Sequence, residues 1–298
     1  MRADMYVETV LKKCDLFSAC SLWSREPKVR PRAWLNNFEA SERPVAAMLL
    51  DHFVYFDSEA TNCMLASTLR CLAAQVREYR GEDALRQFSR DAVFTPVLGE
   101  SPNPTDSGGL FCRKVRQVLC IPDTRFVSLN RAYELAEAGV PVIFVDDFIG
   151  SGDQMASTWE REISPGQSFK GLASNSYVDA TYLALVGTES GCRRLKDDFP
   201  ELRLLVAHTL DNSNSVFGIP SNPLNPDLDD MQNRVRQLIQ KYHSKLQLPP
   251  YLSTANERMY GYSGLGLLLA FEHSVPDASI PLIWASGSND WTPLARRA

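Results

Sequence analysis

One stretch constrains the fold of this chain more than any other: residues 141–154, PVIFVDDFIGSGDQ. Its apolar run Val142–Val145 is rich in β-branched and aromatic residues, which predicts a short strand buried on both faces, as in a parallel sheet. Asp146 and Asp147 follow that strand, then a glycine-containing turn, and then a predicted helix over residues 155–161. Strand, acidic pair, turn and helix form half of a βαβ unit, in which ligands bind at the carboxyl ends of the strands.

Each part of this stretch has a chemical use. A turn that aims several backbone N–H groups at one point, followed by a helix N-terminus, forms a cradle for phosphate. The carboxylates of Asp146 and Asp147 accept hydrogen bonds from sugar hydroxyls, or orient water around a Mg²⁺ ion that arrives with a diphosphate. A phosphate cradle beside hydroxyl acceptors predicts a phosphorylated ribose as ligand. The predicted phosphate-binding residues are Gly150, Ser151, Gly152, Asp153 and Gln154.

The same stretch resembles the signature of type I phosphoribosyltransferases, enzymes that bind phosphoribosyl pyrophosphate (PRPP). The shared pattern is an apolar run, two acids, two or three spacers and then Thr/Ser-Gly. The resemblance implies that Asp146 and Asp147 form the catalytic pair, face the ribose 2- and 3-hydroxyls, and hold Mg²⁺ through water. It also implies that residues 150–154 hold the 5-phosphate.

Three positions depart from that signature. In several purine-directed members an acid that assists the base stands where this chain has Gly150. The phosphate loop usually carries a neutral or basic residue and then Thr, whereas this chain has Asp153 and Gln154. A carboxylate at a helix start suits the helix dipole but repels a phosphate. Either Asp153 points outward, as a helix-capping residue does, or the phosphate site is altered.

A second candidate anion site follows the first predicted core strand, residues 92–98. Residues 99–109 are dense in turn-forming residues, and in type I phosphoribosyltransferases the loop at this place faces the pyrophosphate. The alternative is a solvated surface loop that leads into a helix. The residues predicted to bind there are Ser107 and Gly108, which with Gly109 form an anion nest, and Arg113 and Lys114, which supply counter-charge.

The order of predicted elements defines the fold class. Residues 1–90 are mostly helical, and the best helix, Asn62–Tyr79, ends near Gly81. From residue 92 to 210 strands alternate with helices, which predicts a parallel sheet with helices on both faces. We therefore expect an α/β, phosphoribosyltransferase-like (Rossmann-like) fold over residues 91–298, packed against a helical N-terminal region. Residues 265–271 and Ile280–Trp284 are predicted to be late strands.

Composition excludes several classes of protein. The net charge of −5 supplies no overall basic field, so direct nucleic-acid binding is not indicated. No apolar run approaches the roughly 18 residues that a membrane-spanning helix requires, and the first residues lack the apolar stretch of a signal peptide. The 7 cysteines are odd in number and include no C-x-x-C pair, which favours reduced thiols in a cytoplasmic protein and gives no indication of a zinc site.

Motifs along nearly the whole chain extend the resemblance. WLNNF near the start, DD-x-x-GSG-x-Q at the centre, and FEH, IPLIW and W-x-P-L near the end occur in that order. Together they resemble the phosphoribosyltransferase-like proteins encoded beside reverse transcriptases in retron defence operons and in related bacterial anti-phage systems. That resemblance implies a toxin or effector held by protein partners, among them a reverse transcriptase ribonucleoprotein.

Three functions fit these features. The first is an enzyme that binds Mg²⁺ and PRPP, or a related ribose phosphate or nucleotide, and catalyses displacement at the ribose anomeric carbon. The second is a catalytically degenerate fold that senses a nucleotide or holds a partner, which Gly150 and Asp153 favour. The third is a metal-dependent phosphohydrolase, which the acid pair disfavours because adjacent side chains of an extended backbone point apart.

Overall fold

The computed structural model describes residues 3–99, 107–219, 231–288 and 290–297. Within these ranges the helices and strands follow one another along the chain, and we number them in that order. They are α1 (Ala3–Ala19), α2 (Pro31–Leu35), α3 (Arg43–Asp51), β1 (Val54–Phe56), α4 (Ser58–Asp91), β2 (Val93–Pro96), α5 (Ser107–Leu119), α6 (Leu129–Glu137), β3 (Val142–Ile149), α7 (Asp153–Glu160), α8 (Phe169–Asn175), β4 (Ala180–Thr188), α9 (Glu189–Asp198), β5 (Arg203–Leu210), α10 (Met231–Tyr242), α11 (Ala255–Tyr260), β6 (Leu269–Phe271) and α12 (Pro281–Trp284).

The chain divides into two compact units. The first combines Met1–Ala60 with Asp211–Ala298, and the second is Thr61–Leu210. The boundary predicted at residue 90 lies inside the second unit, at the end of α4. The first unit thus joins two segments that are far apart in sequence, a grouping that hydrophobic periodicity along the chain does not reveal.

The second unit is built on a sheet of four parallel strands in the order β2-β3-β4-β5. The central strands β3 and β4 are almost wholly buried, which explains their near-continuous apolar sequences. Helices α6 to α9 pack with the sheet in one apolar core. Aromatic rings fill it: Phe169 stacks on Trp159 at 5.5 Å and meets Phe144 edge-on at 5.0 Å. The predicted class, a parallel α/β sheet flanked by helices with a helical N-terminal region, is confirmed.

The long helix α4 changes direction at one residue. Gly81 has φ +88°, a conformation outside the helical region that L side chains rarely adopt. The sequence predicts a helix end here, and the chain does leave the helical conformation at Gly81. It then resumes a second helical segment up to Asp91, within the region predicted to be mostly helical.

The first unit contains a two-stranded parallel sheet, β1 paired with β6. Strand β1 lies within the N-terminal region that was predicted to be mostly helical. The predicted strand Ile280–Trp284 is wrong, because α12 forms there with Pro281 at its first position. A proline fits the first turn of a helix, where its missing N–H has no intrahelical partner in any case.

The end motifs of the chain meet in the core of the first unit. The indole N–H of Trp34 donates to the carbonyl of Leu282 at 2.9 Å. The side chain of Asn37 donates to the carbonyl of Thr292 at 2.7 Å and accepts from its amide at 3.0 Å. Motifs WLNNF, IPLIW and W-x-P-L are therefore packing partners, which gives a structural reason for their joint occurrence.

No helix in the described ranges is both long and apolar enough to cross a membrane. The longest, α4, has 34 residues, but charged side chains recur along its length.

Candidate functional site

The acidic pair lies inside β3, which extends four residues beyond the predicted run and ends at Ile149. Asp146 is fully buried, and Asp147 is 7% exposed. Asp146 is in register with Ala184 of β4. Because successive side chains of a strand point to opposite faces of its sheet, the two carboxylates flank the strand from either side. They therefore do not form a side-by-side pair.

Asp146 has hydrogen-bond donors within the unit. The Tyr182 hydroxyl donates to its Oδ2 at 3.3 Å, and the amide of Asp147 donates to its Oδ1 at 2.9 Å. Burial raises the pKa of Tyr182 well above its usual value, and the charges of Asp146 and Asp147 raise it further. Burial, with a smaller contribution from Asp146, likewise raises the pKa of the Cys112 thiol to about 12. Both groups stay neutral, so Tyr182 remains a donor to the carboxylate.

The turn after β3 packs against the start of α9. The Thr188 hydroxyl donates to the carbonyl of Gly150 at 2.5 Å. A Cβ on Gly191 would lie 2.1 Å from that carbonyl oxygen, so only glycine allows the approach. Gly152 has φ +89° and serves as the N-cap of α7, without a capping side chain. These contacts fix the backbone of the turn independently of any ligand.

Most amides of this turn have no acceptor among the residues that the structure describes. Within the described part of the chain, no group accepts a hydrogen bond from the backbone N–H of residues 150–152 or of Gln154. The amide of Asp153 has only a long contact, 3.4 Å, with the Ser151 hydroxyl. The first N–H groups of a helix require acceptors from outside the helix, and anions commonly supply them. The turn is therefore chemically suited to an anion.

Ser151 and Arg194 both bind the Asp153 carboxylate. The Ser151 hydroxyl donates to it at 2.6 Å, and Arg194 Nη1 of α9 donates to it at 2.5 Å. The same Arg194 nitrogen lies 3.1 Å from the carbonyl oxygen of Ser151. Hydrogen bonding with Asp153 raises the pKa of Arg194 above its usual value. Arg194 is not among the residues predicted from the sequence, since an arginine in a charged surface helix carries no signal of its role.

The second candidate site differs from its prediction. Residues 100–106 lie outside the described residues. Ser107, Gly108 and Gly109 form the first turn of α5 and not a loop. A Cβ on Gly108 would lie 2.6 Å from the carbonyl oxygen of Val97, so this glycine allows α5 to start against the end of β2.

The two predicted counter-charges on α5 have different surroundings. Arg113 is exposed. Lys114 Nζ donates to the Thr61 hydroxyl of α4 at 3.0 Å and lies 5.3 Å from the ring centroid of Phe111. The acidic pair and residues 150–154 thus lie together at the end of β3. Lys114, by contrast, contacts α4.

A dedicated metal cage is absent from the described ranges, where no three His, Cys, Asp or Glu side chains are grouped as metal ligands. Two carboxylates on one strand are nevertheless a donor set that suits Mg²⁺, which keeps most of its waters and is often shared with substrate phosphates. Because the two side chains leave β3 on opposite faces and Asp146 is fully buried, Asp147 is the carboxylate that fits a Mg²⁺ ion bound through water, and the pair does not fit a tightly held structural metal.

The parallel α/β sheet, with an acidic pair and a glycine turn at the carboxyl end of a central strand, defines a phosphoribosyltransferase-like protein. The chain belongs to the PRTase-CE family, whose family model matches residues 31–297. That match includes both segments of the first unit as well as the second unit. It therefore covers the motifs near both ends of the chain and the β3–α7 turn.

The comparisons with solved structures and with curated proteins contribute less to the assignment than the family match. Orotate phosphoribosyltransferase from Aeropyrum pernix is 21% identical over 48% of this chain and 71% of its own, with a TM-score of 0.26. The AQ2163 protein from Aquifex aeolicus is 12% identical over 68% of this chain and 91% of its own, with a TM-score of 0.30. Comparison with curated proteins gave no match. Since both TM-scores are low, the family match alone assigns the class.

Proposed function

We propose that the chain binds a 5-phosphorylated ribose, PRPP or a related nucleotide, together with Mg²⁺, at the turn between β3 and α7. The observation that carries this proposal is the set of turn amides, residues 150–152 and Gln154, for which the described residues offer no acceptor. A phosphate supplies several acceptor oxygens at once and matches the positive end of α7.

The remaining parts of the ligand follow from the neighbouring residues. Asp147, which keeps some exposure, accepts hydrogen bonds from the ribose hydroxyls. Asp146, on the opposite face of β3, is held by Tyr182 and contributes negative charge near the ribose. A bound Mg²⁺ ion would neutralise charge on the diphosphate, and Asp147 would hold it through water.

In an enzyme of this kind an acceptor displaces pyrophosphate at the anomeric carbon. The acceptor forms a bond to that carbon, and pyrophosphate leaves with the electron pair of the broken C–O bond. Charge on the ribose in the transition state is stabilised by nearby carboxylates, so positioning and electrostatics carry the catalysis. Gly150 has no side chain to assist a base, so the acceptor supplies its own nucleophile without help from this position.

A second candidate is a catalytically degenerate site that binds the ligand as a sensor or to control a partner. Two observations favour it: Asp146 is fully buried and hydrogen-bonded within the unit, and Asp153 is paired with Arg194. Both candidates require the same ligand site, and they differ only in turnover.

One experiment tests the site and separates the two candidates. Binding of Mg²⁺-PRPP is measured by calorimetry, and pyrophosphate release is measured in parallel, for the native chain, Asp147→Asn and Tyr182→Phe. We expect Asp147→Asn to weaken binding at least about tenfold, the equivalent of roughly 1.4 kcal/mol. Tyr182→Phe removes only a buried donor to Asp146, so its affinity should stay within about twofold while stability falls by about 1 kcal/mol.

Release of pyrophosphate supports the enzyme, and binding without release supports the sensor. Native affinity in a folded Asp147→Asn variant, or no binding by the native chain, would overturn the ribose site.

We further propose that the chain is a cytoplasmic effector of a bacterial anti-phage system of the retron type, held by protein partners such as a reverse transcriptase ribonucleoprotein. The ordered motifs of the whole chain and its membership of the PRTase-CE family support this proposal. Co-expression with a retron-type reverse transcriptase and its RNA should yield a complex on co-purification. Expression without that partner should arrest growth, and Asp147→Asn should relieve the arrest. Unchanged growth with the native chain would contradict the toxin role.

A further inference from the structure

Arg194 contacts the candidate phosphate turn directly. Arg194 Nη1 lies 2.5 Å from Asp153 Oδ1 and 3.1 Å from the carbonyl oxygen of Ser151, while its Nε lies 3.4 Å from Asp198 Oδ2. The side chains of Arg194 and Asp153 are 44% and 30% exposed. The pair is therefore open to solvent, and an entering anion can reach it without unfolding of the turn.

Carboxylate and phosphate are alternative partners for a guanidinium, because both present oxygen pairs that match its fork of N–H groups. In the described structure Asp153 supplies such a carboxylate, and it also holds the Ser151 hydroxyl at 2.6 Å. The two side-chain donors beside the turn are thus directed at an internal anion, whereas the turn amides have no acceptor among the described residues. The internal anion satisfies only part of the site.

We propose that Arg194 is a binding residue for the ribose 5-phosphate and that Asp153 is its internal competitor, displaced from Arg194 when the phosphate enters the turn. The proposal rests on the proposed function, whose ligand it defines more closely. In the bound state Arg194 and the Ser151 hydroxyl turn to the phosphate oxygens, and the Asp153 carboxylate turns to solvent. The site then selects a dianionic phosphate monoester, since that ligand must outcompete a carboxylate.

The exchange explains why this chain carries Asp153 where a phosphate loop would be expected to avoid negative charge. A carboxylate fixed beside a bound phosphate would repel it at all times. A carboxylate that leaves Arg194 as the phosphate arrives instead raises the ligand concentration needed for occupancy. The ion pair therefore sets a threshold for binding, which suits a protein that responds only to a rise in ligand.

The test uses ribose 5-phosphate with EDTA, so that neither Mg²⁺ nor pyrophosphate contributes. Calorimetry compares the native chain with Asp153→Asn, Arg194→Gln and the double variant. Arg193→Gln is the matched control, because Arg193 is the neighbouring arginine of α9 and pairs with Glu189 instead. Thermal denaturation of each variant verifies that it is folded.

We expect Asp153→Asn to tighten binding about tenfold and Arg194→Gln to weaken it about tenfold, each near 1.4 kcal/mol. Arg193→Gln should stay within about twofold of the native chain. In the Arg194→Gln background, the gain from Asp153→Asn should fall below about twofold, because the exchange requires both residues. This loss of additivity is the specific signature of exchange.

Two results would overturn the proposal and distinguish it from the site on which it rests. If ribose 5-phosphate binds but Arg194→Gln leaves its affinity unchanged, the phosphate site stands and Arg194 has no part in it. An Asp153→Asn gain of equal size with and without Arg194 would indicate simple repulsion and no exchange. Absence of binding by both the native chain and Asp153→Asn would overturn the proposed function as well.

Discussion

Helices α4 and α7 each follow a parallel strand, and their first turns are completed in different ways. At the start of α4, the amide of Ser58 donates to Glu272 at 2.7 Å, and the amide of Ala60 donates to Asp57 at 2.7 Å. At the start of α7, the amides of residues 150–152 and of Gln154 have no acceptor among the described residues. One helix N-terminus is closed by the protein's own carboxylates, and the other is left open.

The difference distinguishes a helix start that the protein's own side chains complete from the one at which we propose that a ligand binds. Glu272 also accepts a hydrogen bond from Lys28 Nζ at 2.7 Å, and hydrogen bonds from Lys28 and Ser58 lower its pKa to about 2 despite partial burial. Glu272 thus resembles a catalytic acid beside a helix, yet its carboxylate is bound by Lys28 and by the amide of Ser58. At α7 the nearby carboxylate of Asp153 is turned to Arg194 and leaves the amides unused.

The largest expected effect comes from a substitution that displaces the open turn. In Gly191→Ala the new Cβ would lie 2.1 Å from the carbonyl oxygen of Gly150 and 3.0 Å from Thr188 Oγ1. We expect the free energy of unfolding to fall by about 3 kcal/mol, since neither neighbour can yield without moving the turn. Affinity for ribose 5-phosphate should fall at least about tenfold, as measured by calorimetry.

Gly109→Ala is the control for that substitution, because its Cβ would meet no heavy atom within 4 Å. It should be neutral or stabilising by up to about 1 kcal/mol, since alanine favours a helix over glycine. Native ligand affinity in a folded Gly191→Ala variant would show that the turn is not the phosphate site.

The second effect concerns the closed helix start. Glu272→Gln removes the charge that pairs with Lys28 and weakens the cap on Ser58, so we expect a loss of about 2 kcal/mol at pH 7. The pKa of Glu272 is lower in the folded chain than its usual 4.5, so its stabilisation is present above that pH and is lost as the pH falls toward about 2. The difference between native chain and variant should therefore shrink steadily below pH 4.5 in chemical denaturation.

Glu59→Gln, one residue into α4 and exposed, should change stability by less than about 0.5 kcal/mol and serves as the control. Both variants should bind ribose 5-phosphate with native affinity. Weakened binding by Glu272→Gln alone would mean that the closed helix start also takes part in the ligand site.

The smallest expected change in stability comes from removing the cap at the start of α4. It distinguishes a helix cap from a ligand site most directly. Asp57→Ala removes the acceptor of the Ala60 amide and should cost about 1 kcal/mol, the usual loss for a helix cap. Added phosphate should not restore the lost stability, as followed by thermal denaturation. Recovery with phosphate would show that the start of α4 also binds anions once its own carboxylate is gone. The two helix starts would then differ only in whether a protein carboxylate already occupies them.

Hydrophobic patterning determined the fold class of the second unit. The apolar run of β3 and the sequence ATYLALV of β4 have the β-branched and aromatic composition of strands buried on both faces, and both strands lie centrally in the parallel sheet. Residues 150–154 were placed at a turn after β3 for equally local reasons, since glycine and a helix start mark that turn in the sequence.

Only the tertiary structure decided the pairings between distant segments. Sequence periodicity predicted a strand at Ile280–Trp284, but Pro281 begins a helix there, and β6 pairs instead with β1 from the other end of the chain. The partner of Asp153 is Arg194, 41 residues away on a charged helix where nothing in the sequence marks it. Strands and turns follow from short-range patterns, whereas the choice of which carboxylate meets which cation depends on how the chain folds back on itself.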